Sequence, residues 1–334
     1  MAIQKLAIDF GSAITNIYVL GSGLVLSEPT VAAINQGDKQ EIKAIGDDAK
    51  KLIGKTAKNT KIVFPVFEGE IVNEKVAIGL LNGFLKKLEL KNLVFGYTAL
   101  FSVPCGVTGD MIAKYKNVAK NCGISKVYFV EAPLLSALGQ RIPLNDSTPC
   151  FVIDMAGGVT NIAAVSLDGI IAGVSLNFGY NKVCTDIIDY LSEFYGLQIG
   201  LLTAEKIRNE ISSLDNFDEL SLVVNGRDIN TGTPKAISLK AKDVFSPTKK
   251  YYDKVAEIAN MLLQKLPPEV CAEIRHSGIY IGGLGSNVYS LDKYYKEVFD
   301  MQINIAENAH ASVALGGGVV LGDKDLLKKI SLTV

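Results

Sequence analysis

The chain has 334 residues, of which 48% are apolar and 21% are charged, and its formal net charge is −1. This composition is typical of a globular protein with a large interior, and the length favours two domains over one. The near-zero charge, without a long basic block, excludes nucleic acid as the main partner.

The N-terminal sequence MAIQKLAIDF leads directly into a predicted strand and lacks the charged region and cleavage site of a signal peptide. No apolar run in the sequence reaches membrane-spanning length. The five cysteines are scattered and form no CxxC pair, and the two histidines are isolated. We therefore expect a cytoplasmic protein with reduced thiols and without a transition-metal site.

The first half of the sequence alternates strands and helices. Glycines divide residues 4–34 into three predicted strands, and a lysine-rich interval at 37–63 predicts a small insertion. From Val76 onward, apolar residues recur at helical spacing and predict a helix. The elements expected after it are a strand at 98–104, a helix at 107–122, a strand at 126–130 and a helix opened by Pro133.

The second half repeats this order from Pro149 onward, beginning with its own three strands. The elements predicted after them are helices near 181–195 and 202–213, a long helix near 250–266 stopped by Pro267 and Pro268, a glycine-ended strand at 278–287 and a packed helix at 308–322. Strand triplets alternating with helices indicate an α/β protein made of two similar halves with a cleft between them.

Two stretches of the sequence are similar to each other. Residues 9–17 read DFGSAITNI, and residues 154–162 read DMAGGVTNI. Both begin with aspartate, continue through small residues and end in Thr-Asn-Ile at the same spacing. Their separation is too long for a solenoid repeat and indicates two related domains. Chance similarity between two strand-turn-strand segments is the alternative.

Small residues follow each aspartate where a predicted strand ends. The groups are Asp9 with Gly11, Ser12 and Ala13, then Asp154 with Gly157, Gly158 and Thr160, and finally Gly282, Gly283 and Gly285 after a third strand. Backbone amides at such turns can surround phosphate oxygens, and one or two carboxylates can hold Mg²⁺ through water. Each group alone is equally explained by a tight turn or a capping carboxylate. Together they predict a nucleotide polyphosphate between the two halves.

Stretches distributed over nearly the whole chain carry a resemblance to a known family. They are IDFGSAITNIYVLGSGLVLSEPTVAAI, FSVPCGVT, VEAPLLSALGQRIPL, VIDMAGGVTNIAAVSLDGIIAGVSLNFG, IGLLTAEKIRNEIS, VNGRDINTGTPKAISL, KLPPEVCAEI and NAHASVALGGGVVL. The chain resembles the actin, sugar-kinase and heat-shock-chaperone superfamily, and within it the MreB family of bacterial actins, as a divergent member. The resemblance implies an actin-like fold with two related domains, each a mixed sheet flanked by helices, around a nucleotide cleft.

The resemblance also implies domain boundaries and site residues. Domain I would comprise residues 1–138 and 312–334, with a small insertion at about 32–67, and domain II residues 139–311, with one at about 183–240. The implied cofactors are ATP or ADP and Mg²⁺, the metal being held by Asp9 and Asp154. The implied nucleotide-binding residues are Gly11, Ser12, Ala13, Gly157, Gly158, Val159 and Thr160 at the phosphates, Gly282 and Gly283 at the adenosine, and Glu205, Arg208 and Asn209 beside the base or ribose. The implied hinge crossings between the halves are 137–139 and 314–316.

A member of this family is expected to polymerise into protofilaments and to act in cell shape or intracellular organisation. Its implied partners are further copies of itself and an MreB-like paralogue. Leu93, Val94 and Phe95 suit contact with the cytoplasmic face of the membrane, although they equally suit a lead-in to the next strand. A small-molecule kinase on the same fold is the less favoured class, because no substrate-activating aspartate is recognisable.

The sequence departs from the family at the position that holds the attacking water. The family has a glutamate directly before the proline of VEAPLL, and actin has a glutamine, whereas this chain has Ala132. A methyl group can neither hold nor polarise water, so we expect slow or absent ATP hydrolysis. Glu131 is at best a weak substitute, because neighbouring side chains of an extended segment point to opposite faces. The alternative function is a non-polymerising or co-assembling nucleotide-binding regulator of an MreB-like paralogue.

Overall fold

The computed structural model describes residues 4–36, 40–89, 96–142, 148–166 and 169–333. The apolar loop at Leu93, Val94 and Phe95 lies outside the described residues. None of the described helices is both long enough and apolar enough to cross a membrane.

The first half of the chain contains three consecutive strands, a small insertion, a short hairpin and two further strands that alternate with helices. The strands are β1 (Gln4–Phe10), β2 (Ile14–Val19), β3 (Gly23–Pro29), β4 (Ala32–Asn35), β5 (Ile42–Ile45), β6 (Thr60–Val63), β7 (Val66–Phe67), β8 (Glu70–Ile71), β9 (Tyr97–Val103) and β10 (Ile124–Glu131). The helices are α1 (Gly46–Lys50), α2 (Glu74–Lys87), α3 (Gly109–Asn121) and α4 (Ala132–Gly139).

The second half also begins with three consecutive strands. Its strands are β11 (Cys150–Met155), β12 (Thr160–Ser166), β13 (Gly169–Leu176), β14 (Leu197–Gln198), β15 (Ser221–Asp228), β16 (Pro234–Lys240), β17 (Ile279–Gly282) and β18 (Ile303–Ile305). Its helices are α5 (Asn181–Tyr195), α6 (Leu201–Ile211), α7 (Phe245–Leu263), α8 (Pro268–Ser277), α9 (Leu291–Phe299), α10 (Ser312–Gly322) and α11 (Lys324–Ile330). Short 3₁₀ helices cover Ala241–Asp243, Leu284–Asn287 and Ala309–Ala311.

The two main sheets have the same topology. Within the described residues, the first sheet has the strand order β10-β9-β1-β2-β3 and the second has β18-β17-β11-β12-β13. In each sheet the three strands that come first in the chain, β1 to β3 or β11 to β13, pair antiparallel with their neighbours. On the other side of β1 lie β9 and then β10, and on the other side of β11 lie β17 and then β18, all in parallel pairs. Asp9 pairs with Asn16 in the first sheet, and Asp154 pairs with Asn161 in the second. The internal similarity of the sequence therefore corresponds to a repeated sheet with the aspartates at matching positions.

Each half carries a smaller sheet within its predicted insertion. In the first half, β4 pairs with β5 and β6, and α1 packs beside them. In the second half, β15 pairs with β14 and β16. The domain boundaries at 138/139 and 311/312 stay a prediction.

Helices α4 and α10 lie between the two main sheets. Their apolar side chains share one core with residues of both sheets, including Ala7, Leu100, Val152 and Ala163. The crossing of the two helices requires glycine, since a Cβ at Gly139 would lie 1.8 Å from the carbonyl oxygen of Ser312. The segments predicted as hinge crossings therefore touch each other at the centre of the molecule.

The helices around residue 267 differ from the sequence prediction. We expected one long helix at 250–266 that is stopped by two prolines. In the structure α7 begins earlier, because Pro247 fits in its first turn, where the missing amide hydrogen is not needed. Pro267 separates α7 from α8, and Pro268 begins α8 instead of only ending α7. The same tolerance of proline at helix starts explains both differences.

Candidate functional site

Two neighbouring cavities lie where β1 and β11 end. We call the first, of about 60 Å³, the cleft cavity; the predicted site residues that line it are Asp9, Gly11, Ser12, Ala132, Asp154, Gly157, Gly158, Val159 and Gly283. We call the second, of about 370 Å³, the side pocket; those that line it are Ala13, Glu205, Arg208 and Asn209. Ile14 and Leu284 line both cavities, so the two spaces adjoin.

The two aspartates of the cleft cavity are each held by side-chain donors. The hydroxyl of Ser102 on β9 donates to Asp9 Oδ1 at 2.7 Å. Asn161 Nδ2 donates to Asp154 Oδ2 at 3.1 Å, and Asp154 is only 1% exposed. Asn16 lies opposite Asp9 on β2 and lowers the pKa of that carboxyl, while Asn16 Nδ2 donates to His310 O at 2.8 Å. The two carboxylates therefore face the cavity in fixed orientations.

Burial raises the pKa of both carboxylates. It raises the pKa of Asp154 to about 7, with a further contribution from the negative charge of Asp9. Burial also raises the pKa of Asp9, and the side chains of Ser102 and Asn16 partly oppose this. Two like charges facing one cavity are costly without a counter-charge. The cavity therefore favours a bound cation.

The cleft cavity also contains oxygen atoms that lack a partner. Asp154 Oδ1 and Asn16 Oδ1 are buried and accept no hydrogen bond within the described residues. No three His, Cys, Asp or Glu side chains converge to form a metal cluster in the part of the chain that the structure describes. Mg²⁺ is commonly held by one or two carboxylates, waters and substrate phosphates. The residues present fit Mg²⁺ bound together with a nucleotide.

The raised pKa of Asp154 makes the stability of the folded protein depend on pH when neither nucleotide nor metal is bound. Between pH 4 and 7 the folded protein keeps a proton that the unfolded chain has lost, so this group's contribution to stability falls as the pH rises. We expect Asp154→Asn to stabilise the protein relative to wild type at pH 7.5 by about 1 kcal/mol or more. At pH 5 the gain should be smaller. Urea unfolding of both proteins at the two pH values measures the difference, and an equal gain at both would contradict the prediction.

The loops after β1 and β11 approach each other so closely that only glycine fits. A Cβ on Gly157 would lie 2.3 Å from Ala13 Cβ, and one on Gly158 would lie 2.3 Å from Ser12 Oγ. Both loops turn back to their next strands within a few residues, so their backbones border the cleft cavity. No side chain of these glycines separates the two loops, which is the arrangement expected where backbone amides bind phosphate.

The side pocket contains a buried cationic group. Arg208 on α6 is 7% exposed and stacks over the ring of Tyr180 at 4.1 Å from its centroid. Its Nε donates to Asn209 Oδ1 at 3.2 Å, while its Nη1 has no partner among the described residues. A buried unpartnered donor is costly, so the pocket favours a ligand that accepts hydrogen bonds.

An ion pair joins the two halves beside this pocket. Lys50 Nζ at the end of α1 lies 2.7 Å from Glu205 Oε2 on α6. Both residues line the side pocket. The insertion of the first half therefore contacts the second half at the pocket wall.

A family model described as MreB/Mbl protein matches residues 3–329. The chain belongs to the MreB/Mbl family. It is 32% identical to the cell shape-determining protein MreB of Escherichia coli strain K12, over 96% of this chain and 94% of that protein. It is 29% identical to MreB5 of Spiroplasma citri in a crystal structure bound to AMPPNP, with a TM-score of 0.92 over 99% of this chain and 98% of that one. A chain of the MamK double helical filament, 19% identical with a TM-score of 0.82 over 96% and 99% of the two chains, shares the fold. The actin-like fold predicted from the sequence is confirmed.

Four of the predicted site residues of this MreB-family chain lie outside both cavities, and these are Thr160, Gly282, Gly285 and Glu131. Thr160 is fully buried, and its hydroxyl is hydrogen-bonded to Phe178 O at 3.1 Å and to the Tyr251 hydroxyl at 2.8 Å. Gly282 faces the helix crossing, where a Cβ would lie 2.6 Å from Ser136 Oγ. Glu131 Oε1 accepts a hydrogen bond from Gly106 N, in the loop after β9, at 2.7 Å.

Sequence reasoning missed Ser102, Asn16 and Asn161, which orient the two aspartates. The repeated Thr-Asn-Ile was the available signal for the asparagines, because each lies opposite its aspartate on the next strand. No local signal in the sequence pointed to Ser102, because it lies on β9, 93 residues after Asp9 in the chain.

Proposed function

We propose that this chain is an ATP-binding bacterial actin of the MreB type, which polymerises into protofilaments, acts in cell shape or intracellular organisation, and hydrolyses ATP slowly or not at all. The observation that carries the proposal is the pair of aspartates, half-buried Asp9 and buried Asp154, which lie at matching positions of two matching sheets and face one cleft. The named role of the E. coli relative and the AMPPNP bound to the S. citri relative support it. We further propose a cytoplasmic location and two domains, with domain I at residues 1–138 and 312–334 and domain II at residues 139–311.

In this proposal the chain's own residues bind and orient the nucleotide. The backbone amides of Gly11 to Ala13 and Gly157 to Val159 would hold the phosphates, and Asp9 and Asp154 would hold Mg²⁺ through water. Mg²⁺ neutralises phosphate charge when it is bound. Arg208 and its neighbours on α6 would bind the adenosine in the side pocket.

The geometry around Ala132 supports impaired hydrolysis. Ala132 is the first residue of α4 and lines the cleft cavity, where it presents only a methyl group. Glu131 is the last residue of β10, and its Oε1 accepts a hydrogen bond from Gly106 N at 2.7 Å. Glu131 does not line the cavity. It therefore lacks the position to polarise an attacking water.

We expect the Lys50–Glu205 ion pair to slow the release of nucleotide, because it holds the two halves together at the wall of the side pocket. We expect Lys50→Ala to speed nucleotide dissociation about three- to five-fold, since a partly exposed pair is worth up to roughly 1 kcal/mol. Stopped-flow dissociation of a fluorescent ATP analogue measures this. Lys51→Ala is the matched control, because Lys51 pairs with Asp48 on the exposed surface of the same helix end. Equal effects of the two substitutions would contradict the prediction.

Electron microscopy of the purified protein tests the function. We expect filaments with ATP and Mg²⁺ and few or none without nucleotide. Nucleotide binding is measured in parallel by calorimetry. Binding without filaments would overturn the polymerisation part of the proposal and favour the regulator of a paralogue, and absence of binding would overturn the whole proposal.

A further inference from the structure

Two asparagines of the cleft cavity each form a hydrogen bond with the backbone of the opposite half. Asn16 lies on β2 of the first half, and its Nδ2 donates to His310 O of the second half at 2.8 Å. Asn161 lies on β12 of the second half, and its Oδ1 accepts from Cys105 N of the first half at 3.2 Å. Both asparagines are only 1% exposed. Breaking a hydrogen bond at such a depth is costly, so both bonds hold the halves together.

The backbone groups that the asparagines reach are attached to their own sheets. Gly283 N, directly after β17, donates to Ala309 O at 2.9 Å and so fixes the residue before His310 to the second sheet. Gly106 N donates to Glu131 Oε1 at 2.7 Å and so fixes the residue after Cys105 to β10 of the first sheet. Each asparagine therefore joins its own sheet to a segment that belongs to the other one.

The same asparagines lie beside the two aspartates of the site. Asn16 pairs with Asp9 across β1 and β2, and Asn161 pairs with Asp154 across β11 and β12. Asn161 Nδ2 donates to Asp154 Oδ2 at 3.1 Å. Asn16 Oδ1 is buried and has no hydrogen-bond partner among the described residues. Each asparagine thus lies between the aspartate of its own half and the backbone of the other half.

We infer that Asn16 and Asn161 are reciprocal positioning residues, which tie each aspartate of the proposed Mg²⁺ and nucleotide site to the opposite half. The inference rests on the proposed function, because it names the residues that bring the two carboxylates into one site. Separation of the halves would break both bonds and move Asp9 away from Asp154. Ligands that are held in place before binding lose less entropy when they bind, so the two bonds favour metal affinity.

Hydrogen exchange of the Cys105 amide tests the two bonds without nucleotide or metal. We expect Asn16→Leu to speed this exchange roughly five-fold or more, although Asn16 itself bonds to His310 O, because loss of one bond lets the halves separate and expose the other. Amides of β11, at the centre of the second sheet, show whether the whole protein is less stable.

Asn304→Leu is the matched control for the exchange experiment. Asn304 Nδ2 also donates to a backbone carbonyl, that of Ser277, but both residues belong to the second half. We expect the exchange of the Cys105 amide in this variant to equal that of the wild type. Equal exchange of Cys105 in Asn16→Leu and Asn304→Leu would overturn the inference.

The opposite polarity of the two bonds allows one type of substitution to separate them. Asn16→Asp removes the donor to His310 O, whereas Asn161→Asp keeps an oxygen that can accept from Cys105 N. Both substitutions add a carboxylate beside an aspartate, so the charge change is the same. We expect faster Cys105 exchange in Asn16→Asp than in Asn161→Asp, and the same rate in both would overturn the inference.

The Mg²⁺ dependence of nucleotide affinity tests the link to the site. Calorimetry gives the Kd for ATP with Mg²⁺ and with EDTA, and the ratio of the two measures what the metal adds. We expect Asn16→Leu to reduce this ratio roughly ten-fold, as loss of residues that orient metal ligands does elsewhere, and Asn304→Leu to leave it unchanged. An unchanged ratio in Asn16→Leu would overturn the inference. Absence of nucleotide binding by the wild-type protein would instead count against the proposed function, and Cys105 exchange would still test the two bonds.

Discussion

Ala132→Glu is expected to raise the rate of ATP-dependent phosphate release roughly 10- to 100-fold. The position lies in the first turn of α4 and lines the cleft cavity together with the loops after β1 and β11. A carboxylate there can orient a water and accept its proton, which the methyl group of Ala132 cannot do. Phosphate release at saturating ATP and Mg²⁺ measures the effect.

Two further variants separate positioning of the water from proton transfer. Ala132→Gln can orient the water but is a poor proton acceptor, so its rate is expected between those of the wild type and Ala132→Glu. Glu131→Gln is expected to leave the rate unchanged, because the Glu131 carboxylate is occupied by Gly106 N. Two results together would contradict this expectation: Ala132→Glu leaves the rate of phosphate release at the wild-type value, and Glu131→Gln abolishes phosphate release. They would show that Glu131 holds the water.

The expected loss of hydrolysis has a consequence for a filament. In a protein that binds ATP but hardly cleaves it, the change from ATP to ADP cannot time the disassembly of the polymer. Disassembly would then depend on nucleotide exchange or on the strength of the contacts between copies. The Lys50–Glu205 pair, which lies at the wall of the side pocket, is the structural feature on which nucleotide exchange would depend.

The repeated topology could be predicted from the sequence because the repeat is local. Asp9 and Asp154 each end a strand, and the small residues and Thr-Asn-Ile that follow fix a turn and the next strand at the same spacing. Two such segments predict two similar sheets and carboxylates at matching positions. The cleft between them, and most of the loop residues that line it, follow from that pattern.

Contacts between distant parts of the chain could not be predicted in this way. Thr160 begins β12, and its hydroxyl turns away from the cavity because Tyr251 of α7 offers a partner there. Gly282 ends β17, but the space beside it is filled by α4 and α10. Both residues have the expected type and position along the chain, and only the packing of elements far away in sequence decides what they face.

Gly139→Ala and Gly316→Ala are expected to destabilise the protein by about 3 kcal/mol each, near the upper end of the usual cost of overpacking. A Cβ at Gly139 would lie 1.8 Å from Ser312 O, and one at Gly316 would lie 1.8 Å from Leu135 O. These are backbone oxygens of helices packed between two sheets, so the clash cannot be relieved by rotating a side chain. The helices would have to separate and open the apolar core that they share with both sheets.

Gly322→Ala is the matched control for this expectation. Gly322 ends the same helix as Gly316, but the nearest atom to an added Cβ is Leu20 Cδ1 at 4.0 Å. Alanine should be tolerated there or even stabilise slightly, since it is the better helix former. Urea unfolding of the three variants and the wild type measures the differences. If Gly139→Ala and Gly316→Ala unfolded at the same urea concentration as Gly322→Ala, the close crossing of α4 and α10 would not be what holds the two halves in place.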